Sequence, residues 1–243
     1  MDRSITAMLL LTLTALCACQ SKIEKQQKAA KPKQAPPHTT VVQNKKEQPA
    51  HTAKMTFVKY IDDGDYFQLI ARKGDSTFSF INETDPSRSL NRGDQIQITW
   101  KDGTVTMPGD NDVEAPAQLL RYVKKISDGP VSVFRKVYGK KLKYTWPTDE
   151  HFTSSYLDKL YMQTEYYLSK TTNPLLQLAI KNQDQLTYSI ESRERNNHNY
   201  KVIGIAPIGT NGANVVQWLY IGDEEDDQIY EYDLPEDRLV PFD

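Results

Sequence analysis

The side chains that usually carry acid–base or metal chemistry are sparse in this sequence of 243 residues, which holds four histidines and two cysteines. His38 and His51 fall in an N-terminal segment rich in lysine and proline, so only His151 and His198 lie where a folded core is expected. Neither belongs to a zinc-ligand spacing such as H-E-x-x-H, and no G-x-S-x-G turn supplies a serine nucleophile. No glycine loop precedes a helix in the way that phosphate binding requires. The sequence therefore predicts no cofactor, no metal centre and no histidine-dependent catalysis.

Carboxylates offer a second kind of chemistry. Glu165, Glu191 and Glu194 could converge as the acid and base that glycoside hydrolysis requires. Two acidic runs could also supply oxygen ligands for calcium, although neither completes the twelve-residue loop of an EF-hand. The two runs are Asp110–Asp112, which Glu114 follows, and Asp223–Asp227. The second run would lie between two strands, which is typical of a solvated hairpin tip.

One tripeptide and one charged stretch suggest contacts with other molecules. Arg92-Gly93-Asp94 matches a known adhesion tripeptide, although these residues are also common where a turn enters a strand. Residues 121–143 carry eight Lys and Arg against one Asp, a net of 8 − 1 = +7. They either bind an acidic partner or anionic envelope polymer, or face the last 21 residues, whose net is 1 − 10 = −9. The candidate partner-binding residues are Arg135, Lys136, Tyr138, Lys140, Lys141 and Lys143.

Aromatic residues add a further indication of binding. The chain holds 14 tyrosines and three tryptophans, more than a core of this size needs. Tyr161, Tyr166 and Tyr167 would share one helix that cannot bury all three. Trp100 and Trp218 fall on predicted strands, where packing against a sheet is the favoured interpretation. Exposed Tyr and Trp are typical of surfaces that contact proteins or carbohydrate.

The elements that must position these residues fall into two blocks. In the first block, residues 55–113, short runs of alternating apolar residues are broken by turns rich in Asp, Lys and Gly, which indicates antiparallel strands. Asp102-Gly103 is the strongest hairpin signal in the chain. The five strands of this block predict a small β-barrel of SH3-like or OB-like type.

The second block, residues 114–243, predicts helices followed by an antiparallel meander, which is an α+β architecture of cystatin-like or NTF2-like order. Apolar spacing indicates a short helix over 115–126 and a longer one from Pro147 to Lys170. Asn173 followed by proline predicts the start of a third helix over 175–181. Residues 131–146 mix apolar and basic types and should include a strand. Four further strands are predicted at 185–192, 199–206, 213–221 and 228–233.

The N-terminus carries the features of an export signal. Arg3 precedes an apolar run over 8–16, which is too short for the roughly 20 residues of a spanning helix. The run ends in Leu16-Cys17-Ala18-Cys19, which resembles the lipobox of bacterial lipoproteins. The resemblance implies a signal peptide over 1–18, cleavage before Cys19 and a lipid on that cysteine, and Gln20 implies the outer membrane if the source is Gram-negative. The alternative is an ordinary signal peptide cut after Ala15 or Ala18.

A tether is expected over residues 19–54. Residues 20–54 carry eight Lys against two Glu, a net of 8 − 2 = +6, with no aromatic residue, and such a composition is typical of a disordered spacer. Residues 55–243 carry 21 − 29 = −8, which disfavours nucleic acid as a partner. The sequence therefore predicts a membrane-anchored envelope lipoprotein that is a non-enzymatic binding module for a protein or a glycan. The alternative is a carboxylate-dependent hydrolase of an envelope polymer.

Overall fold

The structure is a computed structural model that describes most of the chain beyond the N-terminal segment. The residues described are 49–62, 64–107, 113–209, 212–222 and 228–242. The predicted signal peptide, Cys19 and most of the predicted tether therefore lie outside the described residues, as do both acidic runs.

The first part of the described chain is a closed five-stranded barrel. Its strands are β1 His51–Ile61, β2 Gln68–Lys73, β3 Ser76–Ile81, β4 Gln95–Met107 and β5 Val113–Ser127. The strands close in the order β1-β2-β3-β5-β4, with β3 parallel to β5 and the other pairs antiparallel. This Greek-key order is OB-like, so the small-barrel prediction is confirmed and the strand order favours the second of its two types. Buried apolar residues at every second position, such as Leu69 and Ala71 on β2 and Ile96 and Ile98 on β4, fill the barrel.

The helix predicted over 115–126 is wrong, because this segment is β5, which extends the barrel past the predicted limit at residue 113. The pairing with β4 shifts at Trp100, which lies opposite Leu120 while Thr99 lies opposite Tyr122. Arg121, between Leu120 and Tyr122, has no partner on β4 and forms a bulge. The bulge shifts by one position the alternation of inward and outward side chains along β5. Leu120 and Val123 therefore both pack in the barrel core, although they are three residues apart as on a helix face.

The hairpin predicted at Asp102-Gly103 is also wrong. β4 continues through this dipeptide, and Gly103 lies opposite Ala117 on β5. A Cβ at Gly103 would lie 2.6 Å from Cδ1 of Leu119, so the glycine serves close side-chain packing rather than a turn. The connection between β4 and β5 falls at 108–112, outside the described residues. At its other end the barrel includes His51, which the sequence placed in the tether.

The second part of the described chain consists of three helices and a seven-stranded sheet. The elements are α1 Pro130–Tyr138, β6 Lys143–Thr145, α2 Ser154–Lys170, α3 Pro174–Asn182, β7 Leu186–Arg195, β8 His198–Gly209, β9 Gly212–Ala213, β10 Gln217–Gly222, β11 Ile229–Asp233 and β12 Arg238–Phe242. The sheet order is β12-β11-β10-β8-β7-β6, with the short β9 paired to β8. Helices followed by an antiparallel meander confirm the predicted α+β architecture. The helix α1 and the last strand β12 were not foreseen.

Local capping sets where the helices begin. α2 begins at Ser154 rather than near Pro147, because the Thr153 hydroxyl accepts a hydrogen bond of 3.2 Å from the backbone N of Tyr156. The predicted cap at Asn173 is confirmed, since its Oδ1 accepts from the backbone N of Leu175 at 3.0 Å and of Leu176 at 3.3 Å.

The helices cover one face of the second sheet, here called the inner face. Leu160 and Tyr167 of α2 and Leu176 of α3 share a buried cluster with Ile203 of β8 and Leu219 of β10. None of the described helices is both long and apolar enough to cross a membrane.

At each of the two outer edges of the second sheet, a residue limits further strand pairing. The short β6 pairs with only residues 187–189 of β7. Just beyond them, the Glu150 carboxylate accepts hydrogen bonds from the backbone N of Ser192 at 3.3 Å and from its hydroxyl at 2.8 Å. At the opposite end, β12 contains Pro241, which lies opposite Tyr230.

Candidate functional site

Two lysines of the basic stretch, Lys125 and Lys136, form ion pairs where the barrel joins α1. The Nζ atom of Lys125 lies 3.0 Å from Asp94 and 2.6 Å from Asp128, and Lys136 pairs with Asp128 as well. Asp94 is fully buried and also accepts hydrogen bonds from the backbone N of Gly129 at 2.8 Å and from the Ser132 hydroxyl at 2.7 Å. These contacts hold the start of α1, which directly follows β5, against the barrel.

The adhesion interpretation of Arg92-Gly93-Asp94 is therefore wrong, because a fully buried aspartate has no surface for a receptor. Burial alone would raise the pKa of Asp94, but the hydrogen bonds from Asn91, Gly129 and Ser132 and the contact with Lys125 hold it below its ordinary value. Gly93 has φ of +92° and lies so close to Pro130 that a Cβ would be 2.5 Å from the proline Cδ. The tripeptide is a structural junction.

Two of the candidate partner-binding residues belong to the fold. The Nε atom of Arg135 donates to both oxygens of Glu165, at 2.9 and 3.0 Å, and its Nη1 donates to Asn91 Oδ1 at 2.6 Å. The hydrogen bond to Glu165 raises the pKa of Arg135. Tyr138 is fully buried, and its hydroxyl accepts from the backbone N of Leu186 at 2.8 Å. The assignment of Tyr138 to a partner surface is therefore wrong.

The other candidates lie at the surface, as does the side chain of Arg135, which is 43% exposed. Lys136, Lys140, Lys141 and Lys143 are exposed, and Lys140 donates to the backbone carbonyl of Gln183. A partner-binding role for these four lysines stays a prediction.

Among the described residues, the carboxylates that pair with the basic stretch come from the barrel, the junction and α2. Six of the ten acidic residues of the last 21 lie outside the described residues. In the C-terminal region, Asp233 pairs with Arg238, five residues further along the chain. Asp237 pairs with Arg195 of β7. Lys125, Arg135 and Lys136 of the eight basic residues therefore pair internally, with carboxylates other than those that the sequence suggested. Pairing of the remaining basic residues with the acidic C-terminus or with a partner stays a prediction.

Two of the three candidate catalytic carboxylates, Glu165 and Glu191, do not converge. Glu165 lies on the helix side of the second sheet, where it binds Arg135. Glu191 alternates with the inward residues Tyr188 and Ile190 along β7, so it lies on the opposite face, where it pairs with Arg193 at 2.6 Å. Among the described residues, no group of three or more His, Cys, Asp or Glu is placed to hold a metal ion.

The outer face of the second sheet, which the three helices leave uncovered, carries a layer of aromatic rings that we call the aromatic face. Tyr200 packs edge-on against Tyr220 with ring centroids 5.5 Å apart and against Tyr230 at 6.2 Å, and Tyr220 lies 5.6 Å from Tyr232. Tyr220 is almost fully buried, whereas the other three are half-buried. The aromatic face consists of Tyr200, Trp218, Tyr220, Tyr230 and Tyr232.

Alternation along the strands produces this layer. Leu219 and Ile221 of β10 point into the helix-covered core, so Trp218 and Tyr220 point outward. The rings lie over small residues of the central strand β8. At Gly204 a Cβ would lie 2.6 Å from the Trp218 ring and 2.8 Å from the Ser189 hydroxyl, so only glycine lets the indole lie this close to the backbone.

Two arginines from β7 reach across the rings. The guanidinium of Arg193 lies 5.2 Å from the Trp218 ring centroid, and that of Arg195 lies 5.6 Å from the Tyr232 centroid. Each guanidinium also binds a carboxylate, Arg193 to Glu191 at 2.6 Å and Arg195 to Asp237 at 2.9 Å. Hydrogen bonding to these carboxylates raises the pKa of both arginines, and Arg195 in turn lowers the pKa of Asp237.

At one end of the aromatic face, an open depression of about 280 Å³ adjoins Tyr200 and Arg193. It is lined by Ser192, Arg193, Glu194, Asn199, Tyr200 and Lys201. The sequence placed Trp218 and Tyr220 on a strand, but the aromatic face as a unit was missed. The alternation in 218–221 and 229–232 was the signal that could have found it.

The chain matches no family model and no curated protein. Among solved structures, the aspartyl-tRNA synthetase from Entamoeba histolytica aligns with a TM-score of 0.26 at 12% identity, over 68% of this chain and 48% of that chain. This chain thus spans about half the length of the synthetases that it matches. The p204 HINb domain aligns with a TM-score of 0.22 at 10% identity, over 81% of this chain and 100% of that chain. The Ifi202 HINa domain, in complex with 20-bp dsDNA, has a TM-score of 0.20 at 8% identity, over 79% and 93%. Likeness at these TM-scores carries no argument about this chain.

Proposed function

We propose that this protein is a lipid-anchored module of a bacterial cell envelope that binds a protein or glycan partner through its aromatic face, without catalysis. The observation that carries the binding proposal is the layer of tyrosine and tryptophan rings on the sheet face that the helices leave uncovered. Such rings combine a large apolar area with a polar edge, which suits a surface that is wet when unbound. The hydrolase alternative loses support, because Glu165 and Glu191 lie on opposite faces of the sheet.

The anchoring part of the proposal rests on the sequence at Cys19. Replacement of Cys19 by Ala should release the protein from membranes, whereas Cys17→Ala should leave it attached, since only Cys19 follows the small residue Ala18. Each methylene of an attached chain that enters the bilayer contributes about 0.8 kcal/mol. Incorporation of labelled palmitate, measured in both variants, provides the test. Label that persists in Cys19→Ala would contradict the assignment.

The binding part is tested with variants of the aromatic face. Purified full-length protein, immobilised through a C-terminal tag, is exposed to solubilised envelope fractions. Trp218→Ala should reduce the retained material, because it removes the largest ring of the face. Trp146→Ala is the matched control, since Trp146 is a 39% exposed tryptophan that packs on Tyr144 and Phe152, away from the aromatic face. Equal retention by both variants and the wild type would reject the aromatic face as the binding surface.

A further inference from the structure

The side of α1 that faces away from the core carries both aliphatic and basic residues. Phe134 and Tyr138 lie on the inner side of the helix, in the buried cluster. On the other side, two valines one helical turn apart are 49% and 53% exposed. Three exposed lysines lie beside them or directly after the end of the helix. These five residues, which we call the α1 surface, are Val133, Lys136, Val137, Lys140 and Lys141.

The α1 surface keeps a positive charge when the carboxylates around it are counted. Residues 130–141 contain four Lys and Arg and no Asp or Glu. The carboxylates that pair with them or lie in the turn packed beside α1 are those of Asp128, Glu165 and Asp184. The last turn of α3, which precedes Asp184, adds Lys181. The sum for this side of the protein is 5 − 3 = +2.

The two acidic runs outside the described residues join the structure away from the α1 surface. The run 223–227 follows β10 where β7 ends, because Gly222 is in register with Arg193 across β8. α1 contacts β7 where that strand begins, at Leu186. The run 110–112 precedes β5, whereas α1 follows it. Neither run therefore adjoins α1 in the chain or at the same end of the sheet.

The form of the α1 surface suits a lipid bilayer better than an acidic protein. Protein partners are usually held by large side chains that enter desolvated pockets. Two open depressions, of about 280 and 410 Å³, are lined by residues of the second sheet and its connections, and α1 contributes to neither. A bilayer requires no pocket, because aliphatic side chains of a surface helix enter the interface while lysines contact anionic headgroups. Charge complementarity then favours anionic phospholipid.

We infer that the α1 surface docks on a bilayer that contains anionic phospholipid, with the two valines in the headgroup region and the three lysines at the lipid phosphates. The inference rests on the anchoring part of the proposed function, because a lipid on Cys19 would hold the folded part close to a bilayer. It adds an orientation to that proposal. The helices cover one face of the second sheet and the aromatic face lies on the other, so docking through α1 turns the aromatic face away from the membrane and toward a partner.

The test uses the mature chain that the proposed function predicts, which begins at residue 19, with Cys19→Ala so that no lipid is attached. Binding is measured by sedimentation with vesicles of phosphatidylcholine alone and with vesicles of equal parts phosphatidylcholine and phosphatidylglycerol. The protein should bind the anionic vesicles more tightly, and Lys140→Gln with Lys141→Gln should weaken that binding about tenfold, which corresponds to about 1.4 kcal/mol. Arg72→Gln with Lys73→Gln is the matched control, because it removes the same charge from two exposed residues of the barrel. Residues 20–54 are identical in every variant, so the attraction of their lysines to the vesicles does not affect the comparison.

A label at residue 137 tests the apolar contact and leaves the lysines in place. The mature chain has no cysteine once Cys19 is replaced, so Val137→Cys carries a single environment-sensitive fluorophore. Its emission should shift to shorter wavelength on anionic vesicles, because the labelled side chain enters the interface. Val113→Cys is the control, since Val113 is 54% exposed but lies at the start of β5. Folding of every variant is checked by thermal unfolding.

Three results would overturn the inference: equal binding to neutral and anionic vesicles, equal binding by the lysine variant and its control, or no emission shift at residue 137 in the bound protein. Palmitate labelling of the full chain separates such a failure from that of the proposed anchor. If Cys19 is acylated and any of the three results is found, only the docking surface fails. If Cys19 is not acylated but the vesicle results are as expected, the α1 surface binds lipid and the anchoring part of the proposed function fails. Capture of an envelope protein that is lost in the lysine variant, with vesicle binding unchanged, would identify an acidic protein as the occupant instead.

Discussion

Replacement of Asp94 by Ala tests how firmly the barrel is joined to α1. The change removes the acceptor of hydrogen bonds from the backbone N of Gly129 and Asn91 and from the Ser132 hydroxyl. It also removes one of the two carboxylate partners of Lys125. A buried donor left without an acceptor costs about 1–3 kcal/mol, and breaking a buried ion pair costs about 3–5 kcal/mol. Lys125 is 33% exposed and keeps its second partner, Asp128. We therefore expect the free energy of unfolding to fall by about 3 kcal/mol, the lower limit of the range for a buried ion pair.

The loss is measured by urea unfolding of the full chain, followed by circular dichroism at neutral pH. The urea midpoint should fall while the dependence on urea concentration stays the same. Asp102→Ala is the matched control in the same barrel, since its side chain is 57% exposed and contacts His51 at 3.1 Å. An exposed contact of this kind contributes about 0–1 kcal/mol. If Asp94→Ala loses no more stability than Asp102→Ala, the junction does not depend on the buried carboxylate and the reasoning is refuted.

Acid titration provides an independent check on the same residue. The hydrogen bonds hold the pKa of Asp94 below the ordinary value of 3.8. A lowered carboxyl pKa contributes stability that is fully present above the unfolded pKa and is lost as pH falls through the folded pKa. Below about pH 4, wild type should therefore lose stability more steeply than Asp94→Ala, so the two curves should approach each other. Parallel curves would show that Asp94 has the same pKa in the folded and unfolded states.

Two further substitutions test the sheet. Gly204→Ala should destabilise the protein by about 1–3 kcal/mol, because the added methyl overlaps the Trp218 ring; Gly64→Ala, where a Cβ meets nothing within 4 Å, is the control in thermal unfolding. Tyr188→Phe should stabilise the protein by about 1 kcal/mol, because the Tyr188 hydroxyl is buried and has no hydrogen-bond partner among the described residues. Tyr138→Phe should have the opposite sign, since its hydroxyl bonds the backbone of 184 and 186; destabilisation by both changes would contradict the explanation.

The sequence predicts the barrel and the α+β architecture correctly. It gives wrong local structure at positions where pairing with a distant strand overrides the preference of neighbouring residues. Leu120 and Val123 have helical spacing, but a bulge opposite β4 produces that spacing in a strand. Asp102-Gly103 has the composition of a turn, but its glycine is required by the packing of Leu119 against it. Neither fact can be read from a window of neighbouring residues. Where the signal is local, as at Asn173 and its proline, the prediction is confirmed.

The candidate site was misplaced for a related reason. A run of lysines and arginines is visible in a sequence, whereas the carboxylates that neutralise it are not. Asp94 and Glu165 are distant in the chain from Lys125 and Arg135, so only the fold brings each pair together. The aromatic face, in contrast, is not visible as a run in the sequence. Its residues come from three strands, and it becomes a surface only when the order β11-β10-β8 is known.

The protection of the two sheet ends has a consequence for self-association. Strand edges with unpaired backbone groups promote pairing with another copy. On β7, the Glu150 carboxylate already occupies the backbone N of Ser192, and on β12 the proline at 241 has no N–H to donate. A protein held by lipid on one membrane meets its own copies at high local density, where open edges would join molecules into sheets. If the proposed lipid anchor holds the protein at a membrane, the occupied N–H of Ser192 and the missing N–H of Pro241 each remove one donor through which the sheets of crowded copies could pair.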